Sequence, residues 1–161
     1  MRRLRPVAAP ADKIVSPFQR ACAKAHLKVT PQRLQIYREL VLAADHPSAE
    51  ILHSRLRAAM PTLSLDTVYR TLATLEKHQL IKRVQTVHAQ TRYEAKMDRH
   101  HHFICRNCEN VLDFIWPAID QHALPEEIGH LGAVLDRTVT VSGICRECLA
   151  ADNPIPDKDE P

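Results

Sequence analysis

Residues 64–80 read SLDTVYRTLATLEKHQL, and the period of this stretch decides what the first half of the chain is. Leu65, Val68, Leu72 and Leu75 recur at i, i+3, i+7 and i+10, the single buried stripe of an amphipathic helix. Ser64 stands where an N-cap belongs. Away from the stripe, the first two turns offer Thr67, Tyr69, Arg70 and Thr71. Such a helix is either an ordinary solvated surface or a helix shaped to enter a groove, and its neighbours bear on the choice.

Upstream, PTLS (61–64) closes a helix over 49–60, capped by Ser48 with Glu50 in its first turn, where the helix dipole favours an acid. His46-Pro47-Ser48 breaks an earlier helix, 31–43, which opens on Thr30-Pro31 as cap and first residue and carries Leu34, Tyr37, Leu40 and Val41 at helical spacing, with Ile36 at the edge. PFQRACAKAHL (17–27) is a short amphipathic segment before it. Downstream, IKRV (81–84) and TRYEA (91–95) can pair as a hairpin around 85–90. Three helices, a further exposed helix and a hairpin make a winged helix-turn-helix, whose recognition helix places its N-terminal residues on base edges in the major groove. There Arg70 can donate two hydrogen bonds to guanine, and Tyr69 can lie against a thymine methyl. Lys77, Lys82 and Arg83 suit phosphate contacts. Arg2, Arg3 and Arg5 read as a flexible basic arm.

The charge balance agrees. The chain has 161 residues, 45% of them hydrophobic, and a net charge of +3. Residues 1–83 carry fifteen Lys/Arg against six Asp/Glu, whereas residues 84–161 carry seven against thirteen. A basic half joined to an acidic half suggests that one part meets a polyanion while the other does something else. Without an apolar run near 18 residues or a secretory h-region, a cytoplasmic protein off the membrane is expected. Its five cysteines then read as reduced thiols for metal or redox use, not as a disulfide framework.

Cys105-x-x-Cys108 and Cys145-x-x-Cys148 can each give two thiolates to one tetrahedral zinc, with Zn–S bonds of about 2.3 Å. Four thiolates leave no open position, so the site would be structural. A thioredoxin-like redox pair is disfavoured because neither CxxC is expected to open a helix after a βαβ strand. Cys22 reads as a small core residue. In RHHHFICRNCENVLDF (99–114), an extended 100–104 puts His100 and His102 on one face and His101 on the other. One ion would take His100 and His102 as co-ligands. Iron, manganese and zinc all suit imidazoles with carboxylates. The remaining histidines have no assigned role; His26, His78 and His130 stand near helix C-termini, where partial positive charge is favourable.

KVTPQR (28–33), HPSAE (46–50), SLDTVYRTL (64–72), HHHFICRNCENVLDF (100–114) and GICREC (143–148) together resemble the ferric uptake regulator superfamily, from about residue 14 to 150. The resemblance implies an α+β repressor, not an enzyme, needing no organic cofactor. A basic arm (1–13) precedes a winged-helix DNA-binding domain (14–95), followed by a small α/β metal-binding dimerisation domain (96–150) and a disordered tail (151–161). It implies a homodimer on palindromic double-stranded operator DNA. PAIDQHALPEEIGH (117–130) would be a helix of the second domain and AVLDRTVTV (133–141) a strand. The regulatory ion, Fe2+ or Mn2+ (with Zn2+ able to enter in vitro), would be held by His46, Glu94, His100, His102 and Asp113, beside the structural Zn2+. Asp113 in place of Glu goes with peroxide-sensing members, in which Fe(II) and hydrogen peroxide oxidise a ligand histidine, here His46 or His100. Glu94 and Arg70 resemble iron-sensing members instead. A zinc-uptake regulator would want a sensory cysteine, and all four cysteines of that domain are committed. A further family metal site would fall on Arg99, His101, Asp120 and Asp136, where an arginine cannot ligate. Two other classes remain, a His/carboxylate metalloenzyme and a metal-storage protein. Neither requires the Thr67–Arg70 surface.

Overall fold

The computed structural model describes residues 11–86 and 91–151. Positions 1–10, 87–90 and 152–161 lie outside the described residues, and with them most of the basic arm, the tip of the hairpin and nearly all of the tail. The chain divides into two units, Met1–Met97 and Asp98–Pro161.

In the first unit the caps fall where their residue types place them. Helix α2 (Pro31–Leu42) starts because the Thr30 hydroxyl accepts the Arg33 N–H and Pro31 needs no partner for its nitrogen. Ser48 does the same for α3 (Ala49–Leu56) and Ser64 for α4 (Leu65–Lys77). Helix α1 (Ala11–Lys24) begins six residues before the expected start and runs through Pro17. Ile14, Phe18 and Cys22, at i, i+4 and i+8, are all buried, so apolar burial offsets the backbone bond that proline lacks. Both α1 and α4 end on a left-handed residue, His26 (φ 53°) and Gln79 (φ 56°). The N–H of the following leucine returns to the carbonyl five residues back, Leu27 to Cys22 and Leu80 to Leu75. That turn stops α4 at Lys77, short of the expected Leu80.

The core of this unit joins Phe18, Leu52, Leu72 and Leu75 with Ile36, which is fully buried. In α2 the stripe is therefore centred on Ile36 and Leu40, while Val41 is exposed. Strands β1 (Lys82–Val84) and β2 (Arg92–Glu94) pair antiparallel with Lys82 opposite Glu94, forming the wing.

The second unit is a three-stranded sheet in the order β4-β3-β5. β3 (His101–Cys105) runs antiparallel to β4 (Val111–Phe114), which sets His102 opposite Asp113, and parallel to β5 (Thr140–Gly143). Gly143 leaves room for the Phe103 ring, whose edge would lie 3.0 Å from a Cβ at this position. Two expectations are corrected. The helix over 117–130 is two short ones, α5 (Pro117–Gln121) and α6 (Glu126–Leu131), because Pro125 cannot continue a helix from the residues before it. The strand over 133–141 is regular only from Thr140. Val139 bonds β3 through its carbonyl to the His102 N–H and through its N–H to the His101 ring, and 132–138 has no strand structure. Helix α7 (Arg146–Ala150) follows β5 directly, with Cys145 as its N-cap. No described helix is long and apolar enough to cross a membrane.

Candidate metal centres and nucleic-acid interface

The two CxxC pairs converge. Cys105 leaves the end of β3, Cys108 follows a turn, and Cys145 and Cys148 flank the start of α7; one Sγ from each lies within 4.8 Å of all the others. The separations Cys105–Cys148 (3.9 Å) and Cys108–Cys145 (3.7 Å) match the ~3.8 Å edge of a tetrahedron with 2.3 Å Zn–S bonds. Burial pushes the Cys105 thiol up, but backbone N–H groups of Cys108, Cys145 and Asn107 outweigh it and bring its pKa down to about 6. Burial and the three neighbouring thiols drive Cys148 to about 12. Cys145 does open a helix, α7, which weakens that ground for setting aside a redox pair. The four-thiol cluster is the better ground, since a dithiol needs no second pair.

In the first unit, His46 and Glu94 are both buried, with Nε2 and Oε2 3.2 Å apart. Three features shape this pair. His46 takes a left-handed backbone (φ 47°), the Pro47 carbonyl accepts the Tyr93 N–H next to Glu94, and Arg55 grips the Asp45 carboxylate with both terminal nitrogens. Burial alone would raise Asp45, but the Arg55 bond prevails and holds its pKa below the ordinary value. Neither Asp45 nor Arg55 was picked out by sequence. Their ten-residue separation matches no period, and nothing local flags the pair.

In the second unit, His100 and His102 turn their rings toward each other, Nε2 to Nε2 at 3.1 Å. The Asp98 carbonyl accepts from His100 Nδ1 at 2.6 Å, so the proton is on Nδ1 and Nε2 presents a lone pair. Asp113 Oδ1 lies 3.8 and 3.7 Å from the two Nε2 atoms. Two bonds of about 2.1 Å at an octahedral or tetrahedral angle separate their donors by about 3.0–3.4 Å, so the imidazole pair fits one ion. Locking the distal ring nitrogen is how ligating histidines are usually oriented.

His101 faces elsewhere and is fully buried. The Val139 N–H donates to its Nδ1 at 3.2 Å, which puts the proton of a neutral ring on Nε2, 3.5 Å from Asp120 Oδ1. Arg99 Nη1 is 3.8 Å from the same oxygen. Asp136 is not part of this group; its Oδ1 accepts the Arg137 N–H at 2.8 Å. His101 Nε2 and Asp120 Oδ1 are buried without a hydrogen-bond partner among the described residues, and the charge beside them is the Arg99 guanidinium, which cannot ligate a cation.

On α4 the reading surface is narrower than expected. Tyr69 and Arg70 are exposed, as are Asp66 and Arg83, and Lys82 is half-buried. Thr67 is half-buried, its hydroxyl 2.8 Å from that of Ser64 within the cap. Thr71 is corrected: it is buried, because with Val68, Leu72 and Leu75 it completes the stripe. Carboxylates hold the residues expected to meet DNA. The Tyr69 hydroxyl donates to Glu50, which also raises its pKa, Arg70 pairs with Asp66, and Arg83 pairs with Glu76 at 2.8 Å.

The chain matches the Ferric uptake regulator family over residues 24–131. It is 27% identical over 136 residues to the peroxide-responsive repressor PerR of Staphylococcus epidermidis, covering 81% of this chain and 87% of the relative. It is 29% identical over 133 residues to the peroxide operon regulator of Bacillus subtilis, covering 79% and 88%. The Helicobacter pylori ferric uptake regulator, whose structure is described as having three functional metal-binding sites, superposes with a TM-score of 0.69 at 25% identity, over 92% of this chain and 97% of that one. With its winged-helix unit, its sheet unit and its four-thiol cluster, this chain belongs to the ferric uptake regulator family.

Proposed function

We propose that the protein is a homodimeric, metal-dependent repressor of palindromic operator DNA that senses hydrogen peroxide. The carrying observation is how the donors are distributed. His46 and Glu94 belong to the unit that holds α4, whereas His100, His102 and Asp113 belong to the sheet unit. One Fe2+ or Mn2+ held by all five residues fixes the reading helix relative to the dimerising sheet. Two half-sites about one helical turn apart demand a fixed angle of that kind. Zn2+ in the four-thiol cluster is structural. Exposed Ile115, Leu131, Leu135 and Leu149 in the second unit support burial against a second copy.

Fe(II) held by these residues would activate the peroxide O–O bond, and the two electrons that reduce the peroxide would come from an imidazole ring beside it. The chain supplies the target. His100 is held by Asp98 with Nε2 forward, and His46 is held by its left-handed turn. One oxygen added to a ring carbon, with loss of water from the peroxide, spoils that ring as a donor. The two units are then no longer tied and DNA is released. Asp113 and the two peroxide regulators among the relatives support this reading over iron sensing. Glu94, buried against His46, favours the second reading, an Fe2+-responsive repressor.

Peptide mass spectrometry on the Fe(II)-loaded protein, before and after low-dose hydrogen peroxide and alongside DNA binding, decides between them. A single added oxygen on the peptide of His46 or His100, with loss of binding, is expected. Unmodified histidines with binding that follows free Fe(II) alone would establish iron sensing. Replacing Tyr69 and Arg70 by alanine separates both readings from a metalloenzyme. A repressor loses operator binding and keeps its ions; an enzyme loses nothing.

A further inference from the structure

The start of α4 is fixed by Ser64, so Asp66 and Arg70 stand one turn apart on its exposed side, in the turns that a recognition helix offers to base edges. Asp66 Oδ2 accepts from Arg70 Nε at 2.9 Å, with the two side chains 68% and 81% exposed. The helix dipole favours an acid in this turn, and an i, i+4 pair adds a little. Neither effect explains why a carboxylate should stand on the surface that meets a polyanion. The first 83 residues contain only six acids, and three of them, Glu50, Asp66 and Glu76, hold Tyr69, Arg70 and Arg83.

We propose that Asp66 is a positioning and specificity-determining residue of the reading helix, an inference that rests on the DNA-binding function proposed above. With Nε engaged by Asp66, the two Nη groups of Arg70 form the outward fork. That fork is the geometry that meets O6 and N7 of guanine in two bonds. The carboxylate is an acceptor only, so it repels phosphate and accepts the N4 amino group of a neighbouring cytosine. The pair therefore commits Arg70 to a base edge. Without Asp66, the guanidinium swings to the nearest phosphate and holds DNA without reading it.

The test uses the full chain, loaded with zinc and Mn2+. A randomised duplex pool is selected with the wild type, and the recovered duplex is then changed one base pair at a time and titrated by fluorescence anisotropy. Arg70→Ala is expected to lose about 5- to 150-fold discrimination at one G·C pair, the range of a bidentate contact. Asp66→Ala should lose most of the same discrimination at the same pair. It should bind scrambled duplex more tightly, with a log–log salt slope steeper by about 1 as Arg70 takes a phosphate. Asp66→Asn, which keeps an acceptor for Nε, should restore the base preference. The double variant should discriminate no worse than Arg70→Ala. Wild-type discrimination in Asp66→Ala, or losses that simply add, would overturn the role of Asp66. No enriched sequence with the wild type, or intact binding in Arg70→Ala, would overturn the DNA-reading proposal itself and this inference with it.

Discussion

Replacing Cys145 by serine should unfold the sheet unit and leave the helical unit standing. Among the described residues, the apolar side chains buried in the second unit are Ile104 and Val111, apart from Cys105, Cys145 and Cys148. Two aliphatic side chains contribute about 3–6 kcal/mol by burial. The three strands alone hold thirteen residues, each costing about 1–2 kcal/mol of backbone entropy to order. Zinc at a four-thiol site supplies roughly 10–16 kcal/mol, so the ion is the largest single contribution to that unit. Cys145 is a severe choice of site, because it is a ligand, it caps α7, and its N–H reaches Cys105 Sγ at 3.3 Å.

The assay is amide hydrogen exchange on zinc-loaded wild type and variant. Losing even ~4 kcal/mol of the ion's contribution lowers protection about a thousandfold. That loss should appear at the amides of His102, Cys105 and Arg106, which bond to Val139, Asn110 and Gly143. Amides of α4 should change little, since Leu72 and Leu75 lie in the separate core of the first unit. Full protection in β3 of the variant would show that apolar packing holds the sheet and that the ion is dispensable. Loss of protection in α4 as well would show that the units do not fold separately. Zinc retention should also fall as pH is lowered, because protons compete for all four thiolates.

Arg55→Ala, which releases the Asp45 carboxylate next to His46, should weaken binding of the exchangeable ion while the thiol-bound zinc stays; competition with a chromophoric chelator measures both. Arg99→His, which replaces a guanidinium by a ligand, should admit one additional divalent ion per protomer by elemental analysis, and adding Asp120→Ala should abolish it. Unchanged metal content in Arg99→His would mean that His101 and Asp120 were never short of a cation. Burial pushes the Cys22 thiol above its ordinary value, with Arg33 pulling weakly the other way. In the unfolded chain that thiol ionises from about pH 8.5. Unfolding then releases a proton, so stability of the first unit should fall as pH rises above that point and be level below it. Cys22→Val should flatten the alkaline limb in a denaturant titration run against pH.

What was legible follows a physical division. Helix starts depend on a residue and its next three neighbours, so Thr30, Ser48 and Ser64 could be read directly, and all three hydroxyls accept where expected. The four cysteines were legible because spacing alone brings thiols together in pairs, and few chemistries want two such pairs. The alternation of His100 and His102 against His101 follows from strand geometry, and the structure turns the first two toward Asp113 and the third toward Asp120. The His46, Glu94 and Asp113 assignments came from the family resemblance, because nothing within their own segments marks them as ligands.

The misreadings have one cause: each segment was read by itself, while its environment decided the outcome. Thr71 is polar and lies on a helix with a polar front, so composition points it outward. Yet it stands three residues from Val68 and four from Leu75, and it is buried with them. Val41 went the other way, passing the core position to Ile36. Pro125 was visible, but the single helix over 117–130 came from the family resemblance, and the structure decides for the proline. Asp66 is the most instructive case. An acid in a first turn is so well explained by the dipole that it invites no second thought. Only its contact with Arg70 makes it a candidate reader, and side-chain partners on an exposed face are not encoded in any period. Tyr69 and Arg70 could be found from the helical pattern, whereas a residue that positions one of them through an exposed side-chain contact could not.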